Sequence, residues 1–175
     1  PPPARRRGAG LGWVPEDREG RGLLPELTVA ENLALGDPDL VAGTGAYDPR
    51  ATRDAARALL ARFQVRPADP DAPLRDLSGG NQQKVLLGRE LGRPLKGLVV
   101  AQPTRGVDLA ARAEIHAALG EARDAGVAVL LISSDLDELR ALCTRVAVLR
   151  RGRVVGEVPV EEASDTKLGA WMVDG

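Results

Sequence analysis

Residues 98 to 108 read LVVAQPTRGVD, a short apolar strand followed by a turn, and the end of that strand is a place where chemistry could occur. In many nucleotide hydrolases such a strand ends in two carboxylates, one for a metal ion and one for the attacking water. Here Ala101 has no lone pair to offer a hard cation. Gln102 cannot usefully accept a proton near neutral pH, although some GTPases use a glutamine to orient water. The strand end therefore indicates either a nucleotide site that has lost its chemistry or no nucleotide site.

The stretch LSGGNQQK, residues 77 to 84, has the composition of an anion-binding helix start. Ser78 can cap a helix, and Gly79 and Gly80 remove side chains where the backbone must approach something closely. Several N–H groups at such a helix start point outward along the positive end of the dipole, so phosphate is the expected anion. The alternative is a plain Ser-capped helix after a glycine turn.

The composition of the chain limits the classes of function. With 175 residues, of which 43% are hydrophobic, the chain can build a real core. The formal net charge of −1 provides no positive field, so we expect no nucleic-acid partner. One cysteine, Cys143, excludes an internal disulfide, and the single histidine, His116, has no second ligand nearby, so no metal site is predicted. No run approaches the roughly 20 apolar residues that cross a bilayer.

The elements that position these stretches follow from the hydrophobic pattern. Three short aliphatic runs, mostly without alternation, are typical of parallel strands that are covered on both faces. Helical segments separate them, and this βαβαβ order predicts an α/β sheet with ligands at the carboxyl ends of the strands. The strands are expected at 98–100, 127–132 and 145–150, the helices at 109–124 and 135–142, and a closing hairpin around Arg151-Gly152.

The front of the chain is predicted to be mainly helical. Thr28 followed by Glu31 has capping-box spacing and predicts a short helix over 28–35. Residues 1–10 are rich in proline and arginine without periodicity and are interpreted as a linker or a truncation scar. The remaining expectations are a strand at 11–14, a helix at 50–64 with Leu59, Leu60 and Phe63 on its buried side, a proline-rich loop at 66–74, and a helix from Ser78 to about Arg93.

In this order the motifs resemble the C-terminal part of an ABC-transporter ATPase domain. LSGGN matches the signature motif of that family, and RGVD matches its D-loop. LVVAQ lies at the Walker B strand, and ISSD, residues 132–135, at the switch-histidine position. VPEDR, residues 14–18, falls at the Q-loop, with Glu16 in place of glutamine. The set looks like the second, degenerate ATPase domain of fused-tandem subunits that drive sugar or nucleoside importers.

The resemblance implies an α/β fold of the P-loop NTPase-like (ABC ATPase) kind, with a parallel core and a helical signature subdomain. No GxxxxGK[ST] occurs in the chain, so we expect an N-terminally truncated domain whose P-loop lies upstream of Pro1 and whose sheet is partly uncovered. The expected organisation is a linker at 1–10 and a partial ATPase domain at 11–175. Its parts are a helical subdomain at about 24–94, an α/β core at about 95–160 and a C-terminal helix at 161–175.

The resemblance also implies roles for residues. ABC ATPase domains pair head to tail, so the signature would bind the γ-phosphate of ATP, with Mg²⁺, at a separate intact domain. The signature residues are Ser78, Gly79, Gly80 and Asn81, and the D-loop residues that would meet the same site are Gly106 and Asp108. Ala101 and Gln102 stand at degenerate Walker B positions and Ser134 at a degenerate switch position. The chain alone is therefore expected to be inactive.

An importer ATPase would have further partners. The resemblance implies transmembrane permease subunits, an indirect link to a periplasmic or lipid-anchored solute-binding protein, and a peripheral position on the cytoplasmic face of the plasma membrane. Two alternatives stay open. One is a non-catalytic ABC-type module for assembly and coupling. The other is a soluble ABC ATPase of translation or DNA repair, although those proteins lack the VPEDR and LSGGNQQK pairing.

Overall fold

The computed structural model describes residues 2–35 and 48–174. The chain divides into two compact units, Pro1–Ile132 and Ser133–Gly175. This division falls inside the range 95–160 that the sequence suggests as one α/β core, and the predicted domain bounds stay a prediction.

The first unit contains a three-stranded parallel sheet in the order β1-β2-β3. Its strands are β1 (Leu11–Val14), β2 (Gly97–Ala101) and β3 (Ala128–Ile132), with β2 in the centre. Val14, Leu98 and Val100 point to the core and are fully buried. The parallel pairing and the bounds of β2 and β3 agree with the sequence pattern.

The opposite face of this sheet is exposed, which agrees with the expected partly uncovered sheet and differs from strands covered on both faces. Trp13 of β1 is paired with Val99, which is paired with Leu130 of β3, so these side chains share one face. The large apolar side chains on this face are 40–59% exposed; they are Leu11, Trp13, Leu130 and Ile132.

The described residues of the first unit include five α-helices. They are α1 (Pro3–Gly8), α2 (Val29–Ala34), α3 (Pro49–Arg62), α4 (Gly79–Leu91) and α5 (Leu109–Asp124). A π-helical turn spans Arg18–Gly22 and a 3₁₀ turn spans Leu74–Asp76. Helix α4 is central, since Val85, Leu86 and Leu87 are at most 1% exposed.

Local capping explains where α2 and α3 begin. The Thr28 hydroxyl accepts a hydrogen bond from Glu31 N at 3.2 Å, and the Glu31 carboxylate accepts one from Thr28 N at 2.8 Å. This confirms the predicted capping box. Asp48 caps α3 by accepting from Arg50 N at 2.9 Å, and Pro49 occupies the first helical position. Leu60 and Phe63 are buried as expected, whereas Leu59 is half-buried.

Residues 1–10, interpreted from the sequence as a linker or a truncation scar, contain the helix α1 at Pro3–Gly8, which was not expected. A six-residue helix is too short to show hydrophobic periodicity in the sequence. Helix α1 is held by a residue that is far away in the sequence. Arg7 forms an ion pair at 3.3 Å with the buried carboxylate of Glu90 on α4. Arg93 pairs with the same carboxylate at 3.0 Å and also donates to Leu11 O at 2.8 Å.

The second unit is built on an antiparallel hairpin of β4 (Arg145–Arg150) and β5 (Arg153–Pro159). Arg151 and Gly152 form the turn with φ of +47° and +77°, which confirms the predicted hairpin. Helices α6 (Leu136–Leu142) and α7 (Asp165–Asp174) complete the unit. Its core is made of Val146, Val148, Val158, Ala163 and Leu168.

The expectation of a parallel strand at 145–150 is wrong. Strand β4 pairs antiparallel with β5 along its length, and a bulge interrupts the register between Val148 and Leu149. Val146 and Val148 are buried while Ala147 and Leu149 are exposed. The alternation is hidden in the sequence because its exposed positions also hold apolar residues.

Within the described residues, no helix is both long and apolar enough to cross a membrane.

Candidate functional site

The N-terminus of α4 presents the Ser78 hydroxyl to solvent. Ser78 is exposed, and its Oγ accepts hydrogen bonds from Asn81 Nδ2 at 2.9 Å and from Asn81 N at 3.4 Å. The Oδ1 atom of Asn81 accepts from Arg66 N at 2.9 Å, and this fixes the orientation of the amide. Because Ser78 Oγ is the acceptor in both bonds, its hydroxyl hydrogen can donate outward. The arrangement suits an anion acceptor at the start of the helix.

The two glycines also have a packing reason that the sequence did not reveal. A Cβ at Gly80 would lie 2.8 Å from Ala111 Cβ, so the start of α4 can approach α5 only without a side chain there. A Cβ at Gly79 would lie 2.7 Å from Arg18 Nη2 and 3.6 Å from Gly106 O. The two glycines of the predicted signature therefore allow three segments to come together.

The D-loop residues lie beside this helix start. Asp108 caps α5 by accepting a hydrogen bond from Ala111 N at 2.9 Å. That backbone bond is the main reason that the pKa of the Asp108 carboxyl is lowered. Gly106 has φ of +70°, in the left-handed region that favours glycine. The structure thus brings the predicted signature and D-loop residues into one corner of the first unit.

The Lys84 side chain joins α4 to α5 below this corner, although the sequence predicted no role for it. Its side chain is 8% exposed. The Nζ atom donates to Gln64 O at 2.6 Å and to Glu114 Oε2 at 2.7 Å. A lysine among apolar positions of a buried helix was the available signal, because such a residue needs a partner.

The predicted Walker B positions lie at the carboxyl end of β2. Ala101 and Gln102 are half-buried. Gln102 has φ of +49°; its N–H donates to Ile132 O at 2.7 Å and its carbonyl accepts from Arg105 N at 3.2 Å. The turn is therefore held by main-chain atoms. Among the described residues there is no group of three or more His, Cys, Asp or Glu side chains that could hold a metal ion.

A cleft of about 750 Å³ connects the strand end to the Q-loop position. Its lining includes Trp13, Glu16, Arg18, Ala101 and Arg105. Glu16 forms an ion pair with the Arg105 side chain, and Arg18 Nη1 donates to Arg105 O at 3.4 Å. The Q-loop position is thus placed directly beside the D-loop.

Ser134, the predicted switch residue, belongs to the second unit and lies between β3 and α6 in the chain. Asp135 caps α6 by accepting from Asp137 N at 3.0 Å.

The parallel sheet, the central α4 and the corner at its N-terminus define the class: the fold is that of the ATP-binding cassettes of ABC transporters. One similar solved structure is a dimeric post-hydrolysis state of the ATP-binding cassette MJ0796 bound to ADP and Pi. It superposes with a TM-score of 0.73 at 26% identity and covers 89% of this chain and 65% of that one. A second dimeric structure of MJ0796 gives a TM-score of 0.74. No protein-family model matches the chain.

The curated proteins to which the chain is similar include ones named for ribose import and for nucleoside import. The chain is 42% identical over 165 residues to the ribose import ATP-binding protein RbsA 1 of Streptomyces avermitilis, covering 94% of this chain and 32% of that protein. It is 43% identical over 167 residues to the nucleoside import ATP-binding protein NupA of Lactococcus lactis subsp. cremoris, covering 94% and 33% respectively. The ribose import ATP-binding protein RbsA of Bacillus subtilis is 35% identical. The chain spans about a third of the length of these relatives.

Proposed function

We propose that this chain is the signature-donating part of the ATP-binding subunit of an ABC importer for simple sugars or nucleosides. In this proposal Ser78, Gly79, Gly80 and Asn81 close over the γ-phosphate of ATP that is held, with Mg²⁺, by the P-loop of a partner ATPase domain. Gly106 and Asp108 meet the same site from the D-loop. We use the term tandem protein for this chain joined to that partner domain.

The start of α4 is the observation that carries the proposal. The outward hydroxyl hydrogen of Ser78 and the first N–H groups of the helix are donors without a role inside the helix. The positive end of the dipole adds to them, and the nearby guanidinium of Arg18 makes the corner more favourable for a multiply charged phosphate. Asn81 holds the serine from behind, with one Nδ2 hydrogen left for a ligand.

The local site is proposed to lack hydrolytic chemistry. Ala101 ends β2 with a methyl group where a carboxylate would hold Mg²⁺ through water. Gln102 offers an amide where a carboxylate would polarise the attacking water. Ser134 replaces the histidine that would reach the γ-phosphate. Three separate catalytic functions are affected, so we infer that ATP is hydrolysed only at the site that this chain completes for its partner.

The transport role rests on the curated relatives. Proteins named for ribose import and for nucleoside import align over more than nine-tenths of the chain. We propose that the tandem protein works with permease subunits, and indirectly with a solute-binding protein, as a peripheral subunit on the cytoplasmic face of the plasma membrane. In this proposal the permease and binding subunits, and not this chain, select between a sugar and a nucleoside.

The substitution Ser78→Arg in the tandem protein tests the proposal. It places a bulky side chain where the γ-phosphate would sit and should lower the ATPase kcat by about 100-fold, as for the loss of a transition-state donor. Ser164→Arg is the matched control, because Ser164 also accepts a hydrogen bond from a backbone N–H, that of Lys167, at the start of a helix. Turnover near the wild-type rate in Ser78→Arg would refute the trans role.

The absent carboxylates at Ala101 and Gln102 also favour a second candidate, a module for assembly and coupling without hydrolysis. The same assay separates the two. A tandem protein that assembles with its permease but hydrolyses no ATP before any substitution would support the second candidate.

A further inference from the structure

Arg18 reaches two motifs from a third. It begins the π-helical turn after the Q-loop position, and its side chain is 22% exposed. Nη1 donates to the D-loop carbonyl of Arg105 at 3.4 Å. Nη2 occupies the space beside the signature, 2.7 Å from where a Cβ on Gly79 would lie. One guanidinium therefore contacts the D-loop and the signature at once.

The position of this cation is unfavourable by itself. The N-terminus of the thirteen-residue α4 carries the positive end of the helix dipole, and a positive side chain near it is repelled. The nearest carboxylate that pairs with Arg18 is that of Glu19, which is 3.8 Å away and 66% exposed, so it compensates weakly. The planar fork of the guanidinium explains why arginine is suited to the place, since it can donate to the Arg105 carbonyl while its other nitrogen packs on Gly79.

We propose that Arg18 is a positioning residue for the ATP site of the partner domain. It holds the D-loop carbonyl of Arg105 against the signature at Gly79, and so transmits a displacement of the VPEDR segment to both motifs. Gly79 has no side chain because the guanidinium needs the space. This inference rests on the proposed function, since the site that is positioned belongs to the partner domain.

The variant Arg18→Gln in the tandem protein tests the inference. Glutamine is too short to span both contacts. We expect the kcat for ATP to fall about tenfold, the loss typical of one hydrogen bond from a charged donor. The KM for ATP should stay within about twofold, because ATP is held by the partner's P-loop and uniform binding is unaffected. Arg18→Lys keeps the charge but lacks the guanidinium fork, so its kcat should lie between that of the wild-type protein and that of Arg18→Gln.

Arg21→Gln is the matched control, because Arg21 lies in the same turn and lines the same cleft. It makes the same change of charge in the same turn and should leave the exchange of residues 104–108 and 78–82 unchanged. Hydrogen exchange measured by mass spectrometry adds a readout that is independent of turnover. The amides of residues 104–108 and 78–82 should exchange faster in Arg18→Gln than in Arg21→Gln.

Gly79→Ala gives a complementary test, since its Cβ would displace the guanidinium. It should raise exchange in residues 104–108, and it should add little in the Arg18→Gln background, because both changes remove the same contact. Additive effects of the two substitutions, or equal exchange in Arg18→Gln and Arg21→Gln, would overturn the inference. Faster exchange with unchanged kcat would overturn the role at the ATP site. Failure of the proposed function is seen separately, as full turnover in Ser78→Arg.

Discussion

The substitution Lys84→Met tests most directly which contacts hold helix α4 in place. The substitution keeps an unbranched apolar stem in a site that is 8% exposed and removes only the ammonium group. Two acceptors lose their donor: Gln64 O at 2.6 Å and Glu114 Oε2 at 2.7 Å. Gln64 has φ of +51°, so the carbonyl that Lys84 holds belongs to a residue in an unfavourable backbone region.

The expected cost follows from how well each acceptor can find water. The Glu114 side chain is 31% exposed and can be rehydrated, so only part of the charged interaction is lost. Gln64 is an exposed residue, so its carbonyl can also be rehydrated in part, and the two partial losses add. We expect the free energy of unfolding to fall by about 2 kcal/mol. For a domain of this size the melting temperature should fall by about 4–8 °C.

Urea unfolding measures the effect as a shift of the midpoint at constant slope. Glu114→Gln should cost about 1 kcal/mol, because the amide oxygen still accepts from Lys84. The double variant should cost about 1 kcal/mol less than the sum of the two single variants, because one interaction is removed in both. Lys96→Met is the control, since Lys96 is exposed, and should change stability by less than about 0.5 kcal/mol. A loss in Lys84→Met as small as that of the control would refute the reasoning.

Two further predictions concern helices of the first unit. Gly88→Ala should destabilise the protein by about 1 kcal/mol, because its Cβ would meet Phe63 at 2.9 Å and overpacking exceeds the gain in helix propensity. Gly120→Ala, with no described atom within 4 Å of its Cβ, should instead stabilise by up to about 1 kcal/mol, and urea midpoints that move in the same direction would contradict this. The pKa of the Glu31 carboxyl is lowered, chiefly by the hydrogen bond from Thr28 N. The capping box therefore stabilises the folded state fully above the ordinary glutamate pKa. This stabilisation is lost as the pH falls through the lowered pKa. Glu31→Gln should flatten the acid limb of the unfolding free energy against pH, and an unchanged limb would disprove the assignment; Thr28→Ala should cost about 1 kcal/mol at neutral pH.

Elements whose signals are local were predictable from the sequence. Helix α5 spans Leu109–Asp124, the range that the pattern suggests, because Asp108 caps it and its apolar positions repeat over four turns. The capping box at Thr28 and the hairpin turn at Arg151-Gly152 are likewise written in adjacent residues. Helix α1 was missed because its support is an ion pair between Arg7 and Glu90, which are far apart in the chain.

The candidate site likewise has features that the sequence could predict and features that it could not. The signature and D-loop residues were predicted from a resemblance of motifs, and each motif contains a helix cap, Ser78 in one and Asp108 in the other. The resemblance could not show that Gly79 accommodates Arg18 or that Gly80 contacts Ala111, because these contacts join segments that are remote in sequence. Nor could it assign Lys84, whose partners Gln64 and Glu114 lie 20 and 30 residues away.

The strand end at Ala101 and Gln102 bears on the proposal that the local site lacks hydrolytic chemistry, because the turn that follows it is held by main-chain atoms. The turn after β2 is closed by main-chain bonds, from Gln102 N to Ile132 O and from Arg105 N to Gln102 O. Neither bond depends on the side chain at the two Walker B positions. We infer that a carboxylate could be replaced there without moving Asp108, whose carboxylate is held by the cap of α5. Because the site that a domain completes for its partner uses Asp108 and α4, loss of the local carboxylates is compatible with retention of the trans role. The proposed function requires this independence of backbone and side chain, since the chain would lack local hydrolysis and still be needed for hydrolysis at the partner's site.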